Sequence, residues 1–513
     1  MLRSRSPLSS KSLARSALLA LAATALVSCK MTDVLSSAKP EASVATRVTS
    51  AFVQSRDPQG KIGAAEHPRV VASNGGAYED EKLEALLAVV VADLVAEADK
   101  SRGDESEGAA GPQRAFKVTI LDSPKVNAFA LPGGYLYVTR GLIALSNDAA
   151  EIAAVLAHEM AHVSASHGVE RIARAKSADI AARVATQVVS NGAAKAIATT
   201  ATTKKLAAFS QEQERQADML GIRLAGGAGF DAFAASRFLL SLRRWSQYQA
   251  ERGTGSNMMS THPSTPQRVK LARAHARRFG PAGTGRTLRD RYLAGVDGLV
   301  FGDAEAQGFV RGRRFSHKTL GFTFAVPEGF SIRNKAQAAL ATGPNETAVR
   351  FDTAERSGEA PADYIASGWV NGLDTSSIQT GTVNGLPVAT ARASAGAWNF
   401  AVAVFASDDR FFRFITAAPR GRKPDRTARF VTASFRKLTK DERAALKPLR
   451  LALHTVKQGE TVRSLAAAMP TGEGSQALLR TLNALDAKAE VRAGDVVKVV
   501  ASGPSGGSKP RSG

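Results

Sequence analysis

Ala157-His158-Glu159-Met160-Ala161-His162-Val163 is the stretch that decides how this chain is read. Around it Ile152, Val155 and Leu156 recur at helical spacing, and Asp148 or Asn147 can cap the helix they predict. On a helix, His158 and His162 project from one face one turn apart, so both imidazoles can reach a single zinc ion at about 2.0–2.1 Å. Glu159 is rotated by about 100° from His158, at the edge of the same cavity, where its carboxylate can take a proton from water without ligating. Chance explains the pattern poorly. With 8 His in 513 residues, two His four apart with Glu after the first are expected on the order of 0.006 times.

A zinc site of this kind needs a third ligand. In Phe209-Ser210-Gln211-Glu212-Gln213-Glu214-Arg215-Gln216-Ala217-Asp218-Met219-Leu220-Gly221, Glu214 and Asp218 share a helical face. With Glu214 on the metal, Asp218 one turn away can accept the outer N–H of a ligand imidazole and fix its tautomer. Glu212 competes for the ligand role but has no acid four residues on, which favours Glu214. Two His and one Glu leave the fourth position to water, the pattern of hydrolytic zinc, with one Zn²⁺ per chain. The single cysteine excludes a cysteine-ligated metal and any intramolecular disulfide. His167 lies off the ligand face and is expected to make only surface or polar contacts. His67, His275, His317 and His454 show no spacing to other ligands.

Over residues 58–282 the chain resembles the gluzincin metallopeptidases, the family that includes HtpX, the CAAX prenyl endopeptidases and the BepA-like proteins. The resemblance rests on Glu66-His67-Pro68, Gly75-Gly76-Ala77-Tyr78, Asn127-Ala128-Phe129 with Pro132-Gly133-Gly134, the His158–His162 motif, Glu214 to Asp218, and Thr261-His262-Pro263. It implies a mainly α-helical, α+β protease domain in which His158, His162 and Glu214 hold zinc and Glu159 is the catalytic base and acid. It also implies that His262 lies on a loop near the metal, where it occupies or regulates the site. Tyr135 and Tyr137, on a predicted strand, are candidates for lining a substrate cleft, because an extended peptide can pair with an exposed strand edge.

Outward from this domain, Arg3, Arg5, Lys11 and Arg15 precede an apolar run, Ser16 to Val27, too short to span a bilayer, and then Leu26-Val27-Ser28-Cys29. This resembles a bacterial lipoprotein signal over residues 1–28, with Cys29 lipidated and Lys30 favouring the outer membrane. Residues 29–57 read as a spacer. The net charge of +22 predicts attraction to polyanions such as anionic headgroups or envelope glycans; no nucleic-acid partner is expected. Apolar and charged fractions of 44% and 22% exclude a collagen-like, wholly disordered or polytopic membrane chain. The Ala- and Thr-rich stretch 171–205, with its scattered Arg and Lys, reads as a solvated helical hairpin.

Beyond the protease domain, Gly280-Pro281-Ala282-Gly283-Thr284-Gly285 opens an expected linker over 283–307. Alternating strands, an Asn384-Gly385 turn and a helix from Asp425 predict an α+β domain on an antiparallel sheet at 308–440, whose role is not legible. Residues 452–501 have the strand–helix–helix–strand order of a small βααβ unit and resemble a LysM module, which implies attachment to peptidoglycan. Residues 502–513 are an expected disordered tail. The chain is thus expected to be multidomain: a zinc endopeptidase at the periplasmic face of the outer membrane, acting on unfolded or misassembled envelope proteins. The alternative is an envelope assembly or wall-tethering factor with a gated protease site.

Overall fold

The catalytic-type helix is built as its sequence requires. In the computed structural model, which describes residues 58–103, 116–165, 167, 211–251, 262–335, 338–407 and 409–503, it spans Ala149–Ser164, and the Asp148 carboxylate caps it by accepting from the Glu151 N–H at 2.8 Å. The signal-like segment, Cys29 and the whole 29–57 spacer, the 171–205 stretch and residues 504–513 lie outside the described residues. The described residues fall into two units, one of residues 323–332 and 338–437 and one of the remainder.

The larger unit begins with α1 (Pro58–Ser73) and α2 (Glu81–Gly103). On α2, Leu83, Leu86, Leu87, Val90, Val91 and Leu94, three or four residues apart or adjacent, form one buried stripe. A three-stranded sheet follows: β1 (Lys117–Leu121), β2 (Ala128–Leu131) and β3 (Tyr135–Thr139), with β3 in the centre, parallel to β1 and antiparallel to β2. The turn between β2 and β3 needs Gly133 and Gly134, both at φ 86°. Tyr135 and Tyr137 therefore do not line an exposed strand edge. They sit on the central strand and are buried, the Tyr137 hydroxyl 2.7 Å from His67 Nδ1 on α1. Then come α3 (Arg140–Leu145), α4 (Ala149–Ser164), α5 (211–227), α6 (Ala234–Glu251) and α7 (Pro266–Ala276).

Two expectations fail here because buried helix ends need partners: the start of α4 for its N–H groups and the end of α3 for its carbonyls. Residues 283–307 are no linker. They include α8 (Arg289–Val296) and β4 (Val300–Phe301), and Tyr292 is fully buried. The Thr287 carbonyl accepts from the Ala149 and Ala150 N–H groups at 3.0 and 3.3 Å, and Arg289 donates to the Asn147 carbonyl at 2.8 Å. The segment is a cap for α4, written in polar and turn-forming residues that read as a linker. Residues 309–322 also group with this unit rather than with the sheet domain.

The C-terminal βααβ unit is likewise not free-standing. Strands Leu449–Thr455 and Val496–Ser502 pair antiparallel, with helices Val462–Ala467 and Ser475–Leu482 between them, and β4 joins the sheet against Leu449 and Arg450. Leu451, Leu465, Leu478, Leu482 and Val500 share one apolar core with α2, α3 and α4. Lys498 is 1% exposed, and its ammonium donates to the carbonyls of Ala144 and Leu145, at 2.9 and 3.3 Å, and of Ser146. It thereby satisfies the open end of α3, next to the start of α4.

In the smaller unit, strands Ala338–Thr342, Ala348–Glu355, Arg410–Pro419, Trp398–Ala406, Leu386–Ala395 and Leu373–Val383 lie side by side in that order, antiparallel. Asn384 and Gly385, at φ 49° and 77°, make the two-residue turn the dipeptide predicts. Helix Asp425–Ser434 follows the sheet.

The buried lysine yields a pH-dependent expectation. Burial pushes Lys498 from 10.5 down to about 7 against the attraction of Glu151 and Asp148, with Arg289 adding repulsion. Burial pushes Glu151 up to about 7, reinforced by Asp148. Folded Lys498 thus holds its proton less tightly than the unfolded chain does. The cost of burying its charge is present at neutral pH and relieved as pH rises toward 10.5. Lys498→Met should cost about 3–5 kcal/mol at neutral pH, as for one member of a buried charged network. The calorimetric midpoint gap between wild type and variant should widen from about pH 7 to about pH 10; a constant or narrowing gap contradicts the assignment.

Candidate metal centre

Three segments far apart in sequence bring four donor atoms together: α4, α5, and the loop that Thr265 ends by capping α7. The ligating atoms of His158, His162, Glu214 and His262 all lie within 4.8 Å of one another, and all four residues are buried. His158 Nε2 stands 3.0 Å from His162 Nε2, 3.3 Å from His262 Nδ1 and 3.4 Å from Glu214 Oε2. Glu214 Oε1 is 3.4 Å from His162 Nε2 and 2.9 Å from His262 Nδ1. A tetrahedral zinc with bonds of about 2.0–2.2 Å has ligand-to-ligand edges of roughly 3.3–3.6 Å; the 3.3 and 3.4 Å distances match such edges, and the 3.0 and 2.9 Å distances are shorter than them. The donor chemistry fits the ion. One imidazole nitrogen carries either a proton or a lone pair, so His158 Nε2 cannot satisfy three neighbours by hydrogen bonds, whereas one cation attracts all four atoms.

Glycine sets the approach of the two helices. A Cβ on Gly221 would stand 2.9 Å from the His158 backbone nitrogen and 3.0 Å from its Cα. This residue lets α5 press against α4 at the first ligand, so that Glu214, two turns earlier, reaches the imidazoles.

The ligand orientations are fixed from behind. Asp218 Oδ1 is 3.1 Å from His158 Nδ1, which makes Nδ1 the protonated nitrogen and turns the Nε2 lone pair inward. Asp218 is itself gripped by Arg268, whose Nε and second guanidinium nitrogen each donate at 2.7 Å. The third Arg268 nitrogen lies 3.0 Å from Glu214 Oε2 and donates to the Pro263 carbonyl at 2.9 Å, tying the His262 loop to the ligand set. Arg268 escaped the sequence reading, although it stands six residues after His262 on the helix that follows.

His167 also departs from expectation. It is 3% exposed and not a surface residue, with Nδ1 3.0 Å from His162 Nδ1. Glu159 is buried, with Oε1 3.7 Å from His262 Nε2. Glu212, the rejected ligand, pairs instead with Arg215 on the exposed side of α5. Cys29 lies outside the described residues.

Burial disfavours charge throughout this cluster, and hydrogen bonding decides which groups carry it. Burial opposes the His158 cation, but Asp218 and Glu214 outweigh it and raise the imidazole to about 10. At His162 burial prevails and lowers it to about 3. Burial also opposes the Glu214 anion, and the three surrounding imidazoles overcome it, holding the carboxyl well below the usual range. Without metal the site thus holds a carboxylate, Glu214, beside the His158 cation and the neutral His162 imidazole.

This arrangement defines a zinc metallopeptidase domain. Residues 100–276 match Peptidase family M48. It is 32% identical over 166 residues to the mitochondrial metalloendopeptidase OMA1 of Schizosaccharomyces pombe, covering 30% of this chain and 45% of that protein. It is 29% identical over 192 residues to the beta-barrel assembly-enhancing protease of Escherichia coli strain K12, covering 35% and 38%. The OMA1 of Arabidopsis thaliana is 31% identical over 176 residues, covering 34% and 35%. In each case the match spans less than half the relative's length.

Gly221→Ala separates packing from helix propensity. Alanine favours a helix interior by about 0.8–1.0 kcal/mol, whereas overpacking against a backbone costs about 1–3 kcal/mol. The variant should lose stability in denaturant titration and bind zinc more weakly in chelator competition. A gain in stability with unchanged affinity contradicts the close-approach role.

Proposed function

We propose that this chain is a zinc-dependent endopeptidase of envelope proteins, working in protein quality control or outer-membrane protein assembly. The observation that carries this reading is the convergence of His158, His162 and Glu214 next to a buried, non-ligating Glu159. His158, His162 and Glu214 would hold the zinc, which would supply Lewis acidity toward a scissile carbonyl and water. Glu159 accepts the proton of the attacking water and returns it to the leaving amine. An extended peptide can pair with β2, which forms an edge of the three-stranded sheet among the described residues. The names of the bacterial relatives support an envelope substrate. The lipoprotein-like signal at Cys29 supports anchoring at the periplasmic face of the outer membrane. No helix among the described residues is long and apolar enough to cross a membrane. Peptidoglycan attachment by residues 452–501 rests on their LysM-like sequence alone.

Glu159→Gln should keep zinc and thermal stability while lowering cleavage of an unfolded outer-membrane protein by about 10²–10⁴-fold. Cleavage at the wild-type rate overturns the assignment.

His262 favours a gated site. Its Nδ1 occupies the fourth corner of the donor set, 2.9 Å from Glu214 Oε1, and its Nε2 faces Glu159. In this state His262 fills the position that water needs. His262→Ala should therefore raise basal cleavage, tenfold for each 1.4 kcal/mol or so of closure removed. A fall of about 10²–10³-fold would instead make His262 an oxyanion donor.

A further inference from the structure

The geometry points to His167 and Gln216 as a relay that sets the tautomer of His162 and so its ability to bind metal; this rests on the metal-centre reading above. His158 has Asp218 behind it, but no carboxylate among the described residues contacts the outer nitrogen of His162. What stands there is His167, which follows the end of α4 and is buried. Its Nδ1 lies 3.0 Å from His162 Nδ1, and its Nε2 lies 3.2 Å from Gln216 Oε1 on α5, two residues past Glu214.

Only one arrangement of protons lets His162 ligate. His162 Nε2 faces the cluster, 3.0 Å from His158 Nε2, and must present a lone pair there. The proton then sits on Nδ1 and needs an acceptor, which is the His167 Nδ1 lone pair. His167 accordingly carries its proton on Nε2 and donates to the Gln216 carbonyl oxygen. Turning the Gln216 amide over reverses every step. Its NH₂ would donate to His167 Nε2, His167 Nδ1–H would donate to His162 Nδ1, and the His162 proton would move to Nε2, where it blocks the metal. The amide at the rim of α5 is thus coupled through two imidazoles to the ligand atom. Neither residue touches substrate in this scheme; both are positioning residues.

The test uses the purified chain and Co²⁺, which reports coordination through its visible absorption bands. His167→Phe keeps a ring in the buried space but offers no acceptor. Gln216→Lys, at an exposed position, offers only donors, and Gln216→Glu only acceptors. His167→Phe and Gln216→Lys should each weaken Co²⁺ binding by about 10–100-fold and alter the bands. Gln216→Glu should bind at least as tightly as wild type with the same bands. If all three bind within twofold of wild type with unchanged spectra, the relay is overturned while the metal centre stands. If wild type itself takes up no Co²⁺, the metal-centre reading falls and the relay with it.

Discussion

The Glu214 carboxylate, held in a water-poor interior among three imidazoles, is the constraint on which the rest of this unit depends. An isolated buried carboxylate costs several kcal/mol, and here Arg268 and the imidazoles His158, His162 and His262 offset that cost. The surrounding architecture serves to keep these groups in place. Gly221 lets α5 approach α4 closely enough. Asp218 and His167 fix the two ligands from behind. Thr287, Arg289 and Lys498 hold the start of α4 and the end of α3 from segments more than one hundred residues away.

This explains why the protease-like region does not end where its sequence motifs end. A helix that begins in the interior leaves backbone groups that must find partners there. In this chain the start of α4 finds partners in Thr287 and Arg289, the end of α3 finds one in Lys498, and α8 and the C-terminal βααβ unit share the apolar core of α2, α3 and α4. Residues 452–501 are therefore part of the support of the metal centre, whatever else they bind. Truncations that remove them remove the ammonium that closes α3.

What could be read in the sequence was what a single helix makes geometric. Spacing of four residues puts His158 with His162 and Glu214 with Asp218, because the helical period converts sequence distance directly into direction. The Asp148 cap, the Pro-Gly-Gly turn and the Asn384-Gly385 hairpin were legible for the same local reason. The burial of His167 was not legible because it lies past the end of α4, where helical spacing no longer converts sequence distance into direction. Arg268 and Lys498 were missed because each is a charged residue whose partners lie far away in sequence, and its burial follows from packing. Residues 283–307 looked like a linker because capping a helix calls on the Gly, Thr and Arg that also populate loops.

The central claim is that two imidazoles, one carboxylate and a displaceable fourth group surround a single zinc ion. X-ray absorption at the zinc edge of the purified chain addresses it most directly. The account predicts one zinc per chain, about four nitrogen or oxygen neighbours at about 2.0–2.2 Å, an imidazole signature and no sulfur. Six-coordinate zinc, or absence of zinc from a folded chain supplied with it, would contradict it.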